Sequence, residues 1–362
     1  MIDSPNNLAG FLPKLASAPW VSLDTEADSL HAYPEKLCLM QLSLPDCDVL
    51  IDPLAEMDLA PLLELLNGRE LIVHGGDYDL RLLYRTYRFV PQSVFDTMLG
   101  ARLLGHTEFG LIHLVNKLLG VPLEKGPQKA DWARRPLTGR MEQYARNDTR
   151  FLKPLADLLR AELERKGRLE WHGEMCARLI EDCARSTPPD LDQVWRLKGA
   201  DRLNRRGLAV LRELWRWRNQ EALAANKPPY FVLSHEAVVK LAETVATGHD
   251  LESLLPPRLN LHRRSRLLEA VQKALALSPE KWPHPIRPSG KRPTLEENAR
   301  FDQLRQKRDQ AAAGLGIDPT LIASRATLFA LARNWEQSQR ELMAWQRALL
   351  SSDKQTDNLN VR

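Results

Sequence analysis

The sequence is short of several things, and each shortage narrows what the chain can be. Only four of its 362 residues are cysteine, and none forms a C-x-x-C pair. That excludes a disulfide scaffold and leaves reduced, structural thiols of a cytoplasmic protein as the expectation. No apolar run approaches the roughly 20 residues that span a bilayer. The opening MIDSPNNLAGFLPKL lacks the basic start and apolar stretch of a signal peptide. No membrane partner is therefore expected. Net charge is only +4, which excludes neither nucleic acid nor anything else. Its distribution says more, because residues 1–160 carry −4 and the remainder +8. An acidic first part and a basic second part suit catalysis in one and polyanion binding in the other, and suit ordinary solvated helices equally. There is no repeat at a fixed short period. What is present is a hydrophobic fraction of 43%, enough to bury a core, in a chain long enough for two or three domains.

The first part alternates strand and helix signals. Residues 20–24 (WVSLD), 36–44 (KLCLMQLSL), 48–53 (DVLIDP) and 70–76 (ELIVHGG) read as strands. The Pro45-Asp46 turn joins the second and third as a hairpin. Residues 59–67, 77–87, 95–104, 111–119 and 138–163 read as amphipathic helices. A hairpin followed by a crossover strand with helices predicts a mixed sheet covered by helices. From about residue 170 the pattern is nearly all helical. It is broken at Lys227-Pro228-Pro229, at Pro256-Pro257 and in a stretch with five prolines from Pro279 to Pro293, which reads as an extended linker.

Three places carry carboxylates where packing alone would not put them. Asp24 and Glu26 follow an apolar run, and strand alternation points both to one spot. Their repulsion and desolvation would be relieved by a cation; the competing reading ends the strand at Leu23 and solvates Asp24. Asp148 lies four residues after Tyr144, on a stripe that continues through Phe151, Leu152 and Leu155. It needs a metal or an arginine, and Arg146 and Arg150 are candidates. In HGGDYDL (74–80) two glycines permit a sharp turn from strand to helix. Asp77 suits a helix cap, Asp79 falls beside the apolar face, and His74 reads as a structural imidazole.

These segments resemble a known family. Asp24-Thr25-Glu26, then His74-Gly75-Gly76 with Asp79, then Tyr144-x-x-x-Asp148 are similar to the three exonuclease motifs of the DEDD superfamily, in its tyrosine-bearing DEDDy branch. Tyr33-Pro34 leading to Gln41, Phe95-Asp96-Thr97 and Asp131-Trp132-x-x-Arg135-Pro136-Leu137 extend the resemblance to ribonuclease D over about residues 18–160. Trp195-x-x-Lys198-Gly199, Trp217-Arg218, Lys227-Pro228-Pro229-Tyr230-Phe231 and Leu241-Ala242 resemble its HRDC domain. Leu321 to Arg325 with Trp345-Gln346-Arg347 resembles a divergent second copy. Ala27 departs from the phenylalanine many members carry after the glutamate.

The resemblance implies an α/β ribonuclease H-like exonuclease domain followed by all-α HRDC-type helical modules. Its boundaries would be 1–170 for the exonuclease, 171–203 for a helical connector and 204–280 for the HRDC domain. A proline-rich linker (281–294), a second HRDC-like module (295–350) and a disordered tail (351–362) would follow. It implies a 3′→5′ exoribonuclease acting as a monomer on precursors of tRNA or other small structured RNAs. Two divalent ions, magnesium or manganese, would be held by Asp24, Glu26, Asp79 and Asp148. Oxygen-only ligands suit those ions and argue against zinc. Tyr144 would orient the attacking water; a free general base is harder to defend, since a phenol has a pKa near 10. Lys129, Trp132, Arg134 and Arg135 are candidate substrate contacts, with Trp132 either packing beneath or stacking on a base. Arg205, Arg206, Arg263, Arg264 and Arg266 are candidate backbone contacts in the helical part. A 3′→5′ DNA exonuclease of the proofreading or Werner-like type, and a non-catalytic nucleic-acid-binding protein, are the alternatives. The presence of all four carboxylates speaks against the last. Since those carboxylates are complete by residue 148, a chain ending near residue 195 is expected to fold.

Overall fold

The computed structural model describes residues 1–185, 190–249, 251, 255, 259–286 and 293–351. The Pro256-Pro257 break, residues 287–292 of the proline-rich stretch and the tail beyond Ser351 lie outside the described residues. The chain divides into two compact units, one of residues 1–26, 37–185 and 290–362, the other of residues 27–36 and 186–289.

The first unit is built on a five-stranded mixed sheet: β1 (Val21–Ala27), β2 (Leu37–Leu44), β3 (Cys47–Ile51), β4 (Glu70–Val73) and β5 (Ser93–Asp96), in the order β3-β2-β1-β4-β5. β2 and β3 form the expected hairpin, with Leu44 opposite Cys47 across the two-residue turn. β1 runs parallel to β4, and β4 to β5. All eight residues of β2 are buried, as befits a strand covered on both faces. β1 does not stop at Leu23; it continues through Glu26, so Asp24 and Glu26 lie on one face. Sequence periodicity misses β5, because its four residues run without a break into the apolar pattern of the following helix.

Helices cover the sheet. α1 (Pro5–Ser17), unread in the sequence, starts at the Ser4 cap and buries Leu8, Phe11 and Leu15. α2 (Ala60–Asn67), α3 (Asp77–Tyr87), α4 (Thr97–Leu103) and α5 (Leu111–Leu114) follow. α5 runs on as a π-helical turn to Leu119 and ends at left-handed Gly120. The long helical pattern over 138–163 is two helices, α6 (Gly139–Arg150) and α7 (Leu152–Arg165), which meet at non-helical Phe151. α8 (Leu169–Ala184) closes this stretch.

The second unit has its own core, formed by α9 (Arg205–Ala225), α10 (Pro229–Val232), α11 (His235–Ala246) and α12 (Leu261–Leu275). Trp195, Leu211, Trp217, Val238, Leu241 and Leu267 are buried together there. Residues 27–36 belong to it: Tyr230 donates its hydroxyl to the Leu30 carbonyl at 3.0 Å, and the Tyr33 amide bonds to Asn226 at 3.3 Å.

The last helices, α13 (Leu295–Leu315), α14 (Pro319–Ile322), α15 (Arg325–Arg333), α16 (Trp335–Ser338) and α17 (Ala344–Leu350), return to the first unit. Leu321, Ile322, Leu328 and Trp345 share one hydrophobic cluster with Ile72, Phe95, Leu114 and Leu155. Trp345 stacks on Trp171 at 4.9 Å. Buried Arg168 donates to the carbonyls of Leu103 and Leu315, at 2.6 and 2.7 Å. This corrects the expectation for a chain ending near residue 195: it would leave the apolar face of α4, α5 and α7 bare. Among the described residues, no helix is long and apolar enough to cross a membrane.

Candidate active site

Four elements deliver the site. β1 carries Asp24 and Glu26 on one face, and α6 carries Tyr144 and Asp148 one turn apart. α3 brings Asp79 to Thr25, whose amide and hydroxyl both donate to Asp79 Oδ1, at 3.1 and 2.5 Å. The His74-Gly75-Gly76 turn that launches α3 needs glycine at 75, where φ is +66°. It is pinned by Asp96, only 1% exposed. This carboxylate accepts from the amides of Gly75 and Gly76, at 2.9 and 3.0 Å, and from Met98 and Leu99 of α4. Asp77, which suited a helix cap, is not one. The N-cap is Gly76, with no side-chain bond, and Asp77 pairs with Arg81 one turn on. His74 bonds through Nδ1 to the Thr97 hydroxyl at 2.9 Å, as a structural imidazole would, and also lines the cleft.

Asp24, Glu26 and Asp148 each place an oxygen within 4.8 Å of the others. Asp79 stands outside that trio, with one oxygen committed to Thr25. The two arginines that might have neutralised Asp148 turn elsewhere: Arg150 bonds the Asp48 carboxylate and Arg146 the Asp48 carbonyl. The electrostatics follow from this crowding. Burial, then the charges of Asp79, Asp148 and Glu26, push the Asp24 carboxyl far above the usual range. Burial, then Asp148 and Asp79, raise Glu26 to about 9. Burial raises Asp79 to about 6 and Asp148 to about 7, in spite of bonds from Thr25 and Tyr144 respectively. Buried carboxylates this close need a counter-charge. An oxygen-only set fits a hard divalent cation. Burial and the same anions push the Tyr144 hydroxyl well above an ordinary phenol, so in the metal-free site it stays protonated.

The cleft above the trio measures about 830 Å³ and is lined by Asp24, His74, Tyr144 and Asp148 on one side and by His113, Lys117, Lys125 and Gln128 among others. The basic lining was missed in the sequence, although His113 and Lys117 are spaced one turn apart in the 111–119 pattern. Of the four candidate substrate contacts, Lys129 and Arg134 are exposed. Arg135 is a correction: its guanidinium holds Asp52 in a two-pronged bond of 2.6 Å on each side and also donates to the Cys38 carbonyl. Trp132 is another. It is 1% exposed and packs 6.1 Å from the Tyr144 ring, which leaves no face for a base. In the second unit Arg205 is committed to the carbonyls of Pro279 and Trp282, and Arg263 and Arg266 to buried Glu221.

A mixed sheet with carboxylates on a central strand and a tyrosine-bearing helix, followed by HRDC-type helices, defines a 3′–5′ exonuclease. A family model described as 3′-5′ exonuclease matches residues 1–164, and a model of the HRDC domain matches residues 207–255 and 297–346. Ribonuclease D of Gluconacetobacter diazotrophicus is 31% identical over 98% of this chain and 91% of its own length. That of Granulibacter bethesdensis is likewise 31% identical, over the same shares. The crystal structure of Escherichia coli RNase D, an exoribonuclease involved in structured RNA processing, superposes with a TM-score of 0.75 at 27% identity, covering 97% of each chain. The chain belongs to the ribonuclease D family of 3′–5′ exoribonucleases.

Proposed function

We propose that this enzyme trims precursors of tRNA or other small structured RNAs from the 3′ end, releasing nucleoside 5′-monophosphates, as a cytoplasmic monomer using two magnesium or manganese ions. The observation that carries the reading is the convergence of Asp24, Glu26 and Asp148 to within 4.8 Å at the floor of the cleft. Bound there, the ions would supply activation of water and charge stabilisation at the leaving oxygen. Asp24, Glu26 and Asp148 are the holding groups, and Asp79 braces Thr25 between the first two. Tyr144 lies beside Asp148 in the cleft and acts on it through its hydroxyl, and is so placed to present its oxygen to an attacking water. That water attacks the terminal phosphorus in line as the penultimate ribose 3′-oxygen departs. Lys117 and Lys125 on the cleft wall are suited to the phosphates of the retained strand.

The test is hydrolysis of matched labelled RNA and DNA oligonucleotides with magnesium, manganese or EDTA. RNA cleavage that needs the metal is expected, and falls below a tenth of wild type in Asp24→Asn and Asp148→Asn. Retained hydrolysis in either variant would sink the metal-holding assignment, and equal cleavage of DNA would sink the RNA preference. Lys117→Ala with Lys125→Ala should weaken RNA binding in calcium and reduce the salt slope by about 0.7 per lost contact.

A further inference from the structure

The loop between Gly120 and α6 carries no periodic signal, yet it wraps the one tyrosine of the site. Gly126 lies against the Tyr144 ring so closely that a Cβ there would fall 1.6 Å from Cδ2 and 2.3 Å from Cγ. Its backbone φ is not in the left-handed region, so the demand for glycine is one of space. Two short turns shape this loop: the Gln128 amide donates to the Gly126 carbonyl at 3.0 Å, and the Ala130 amide to Pro127 at 2.8 Å. They bring the Gln128 side chain into the cleft with Asp148 and Tyr144, where Gln128 and Asp148 both act on the Tyr144 hydroxyl. Trp132, buried beside Tyr144, supports the ring from the core.

We propose that Gly126 and Gln128 are positioning residues that clamp Tyr144, the glycine fixing the ring and the glutamine fixing the direction of the hydroxyl. This rests on the reading of Tyr144 as the group that orients water. A tyrosine hydroxyl left to itself rotates about its C–O bond and can donate to Asp148 or to solvent. Occupied on its lone-pair side by Gln128, it has one orientation left, with the proton toward Asp148 and the remaining lone pair toward the cleft. Misplacing such a group by an ångström is enough to cost a large factor in rate.

The experiment uses the full chain, with Gln128→Met and Gly126→Ala made alone and in a Tyr144→Phe background. Turnover and KM are measured on a short RNA with magnesium. The chain has six tyrosines, so fluorine NMR of 3-fluorotyrosine protein, with the Tyr144 resonance assigned by its loss in Tyr144→Phe, reports the ring directly. Gln128→Met should lower kcat about tenfold, the worth of one hydrogen bond, with KM within about twofold of wild type. Gly126→Ala should lower kcat by about a hundredfold and shift the Tyr144 resonance. Neither should lower it further once the hydroxyl is gone. Full additivity with Tyr144→Phe, or a rise in KM without a fall in kcat, would make Gln128 a substrate contact and overturn the clamp. Loss of turnover in Tyr144→Phe with wild-type turnover in both clamp variants would overturn the clamp alone. Wild-type turnover in Tyr144→Phe itself would instead overturn the role of the hydroxyl.

Discussion

The two HRDC-type segments follow the same local plan and end in opposite tertiary situations. α9 and α13 are each 21 residues long and each stop at a left-handed residue, Asn226 in one and Gly316 in the other. A four-residue helix follows, from Pro229 or Pro319, then an extended residue, then a serine cap at Ser234 or Ser324. Every landmark is offset by 90 residues, too long an interval to show as a short-period repeat. Yet α9 buries eleven residues and α13 only Phe301 and Ala312. The first copy packs α9 against α12 and closes a core of its own. The second has no long helix in that place among the described residues, and completes itself on α4, α5 and α7 of the exonuclease domain. Capping and turn chemistry determine where helices begin and end; the breadth of the apolar face determines whether a module stands alone.

Cutting the chain into separate parts should break this contrast most sharply. A chain ending near residue 195 should lose its cooperative melting transition, because several leucine and isoleucine side chains, each worth about 1.5–3 kcal/mol when buried, lose their partners. Residues 190–286 expressed alone should melt cooperatively. Circular dichroism of both fragments decides it, and a cooperative melt of the chain ending near residue 195 would refute the shared core.

A smaller effect is expected from one side chain. Trp345→Ala should destabilise the exonuclease unit by about 3–5 kcal/mol, read from urea unfolding followed by loss of hydrolysis. Trp217→Ala, in the self-contained copy, should leave turnover on a short RNA unchanged.

The two units also neutralise their buried carboxylates differently. Glu213 and Glu221 are met by arginines of their own unit, Arg216 and Arg266, at 2.6 Å. Asp24, Glu26 and Asp148 crowd together with no arginine or lysine paired to them among the described residues. A carboxyl whose folded pKa is raised favours the fold while protonated and loses that advantage as pH climbs from its unfolded value toward its folded one. With Asp148 near 7 and Glu26 near 9, the metal-free protein should lose melting temperature steadily from about pH 5 to 9. A divalent cation at the trio would favour its deprotonated form, so the stabilisation by added magnesium or manganese should grow over the same range. The 190–286 fragment should not respond to these ions. Scanning calorimetry at several pH values checks both halves.

The mildest difference lies at the helix ends. Gly316 has φ +65° and open space around its Cα. Gly316→Ala should therefore cost about 1 kcal/mol from backbone strain alone, and Gly316→Asn, which copies Asn226, should cost less. Thermal melts of the two variants rank them.

Most of the chemistry was legible in the sequence because it sits on regular elements. Strand alternation puts Asp24 and Glu26 on one face and the helical turn puts Tyr144 with Asp148, but spacing left a solvated or arginine-paired alternative at each, and the motif resemblance decided between them. Gly126 and Gln128 lie in a loop, where spacing predicts nothing about proximity. β5 hid inside a helical pattern because Ser93–Asp96 is four residues long and adjoins α4 directly. Arg135, Arg205 and Arg263 looked like phosphate ligands because sequence shows a charge and not its partner. The docking of α13–α17 was illegible for a related reason: α13 reads as a solvated helix, and its few apolar residues find their counterparts more than a hundred positions earlier.

That docking sets an order of events during synthesis. Asp24, Glu26, Asp79 and Asp148 have all been made once residue 148 is out, but the hydrophobic core of their unit includes residues up to Leu350. Between those two points residues 186–289, the larger part of the second unit, are made. The nascent chain thus carries all four carboxylates on a foundation that waits for α13–α17.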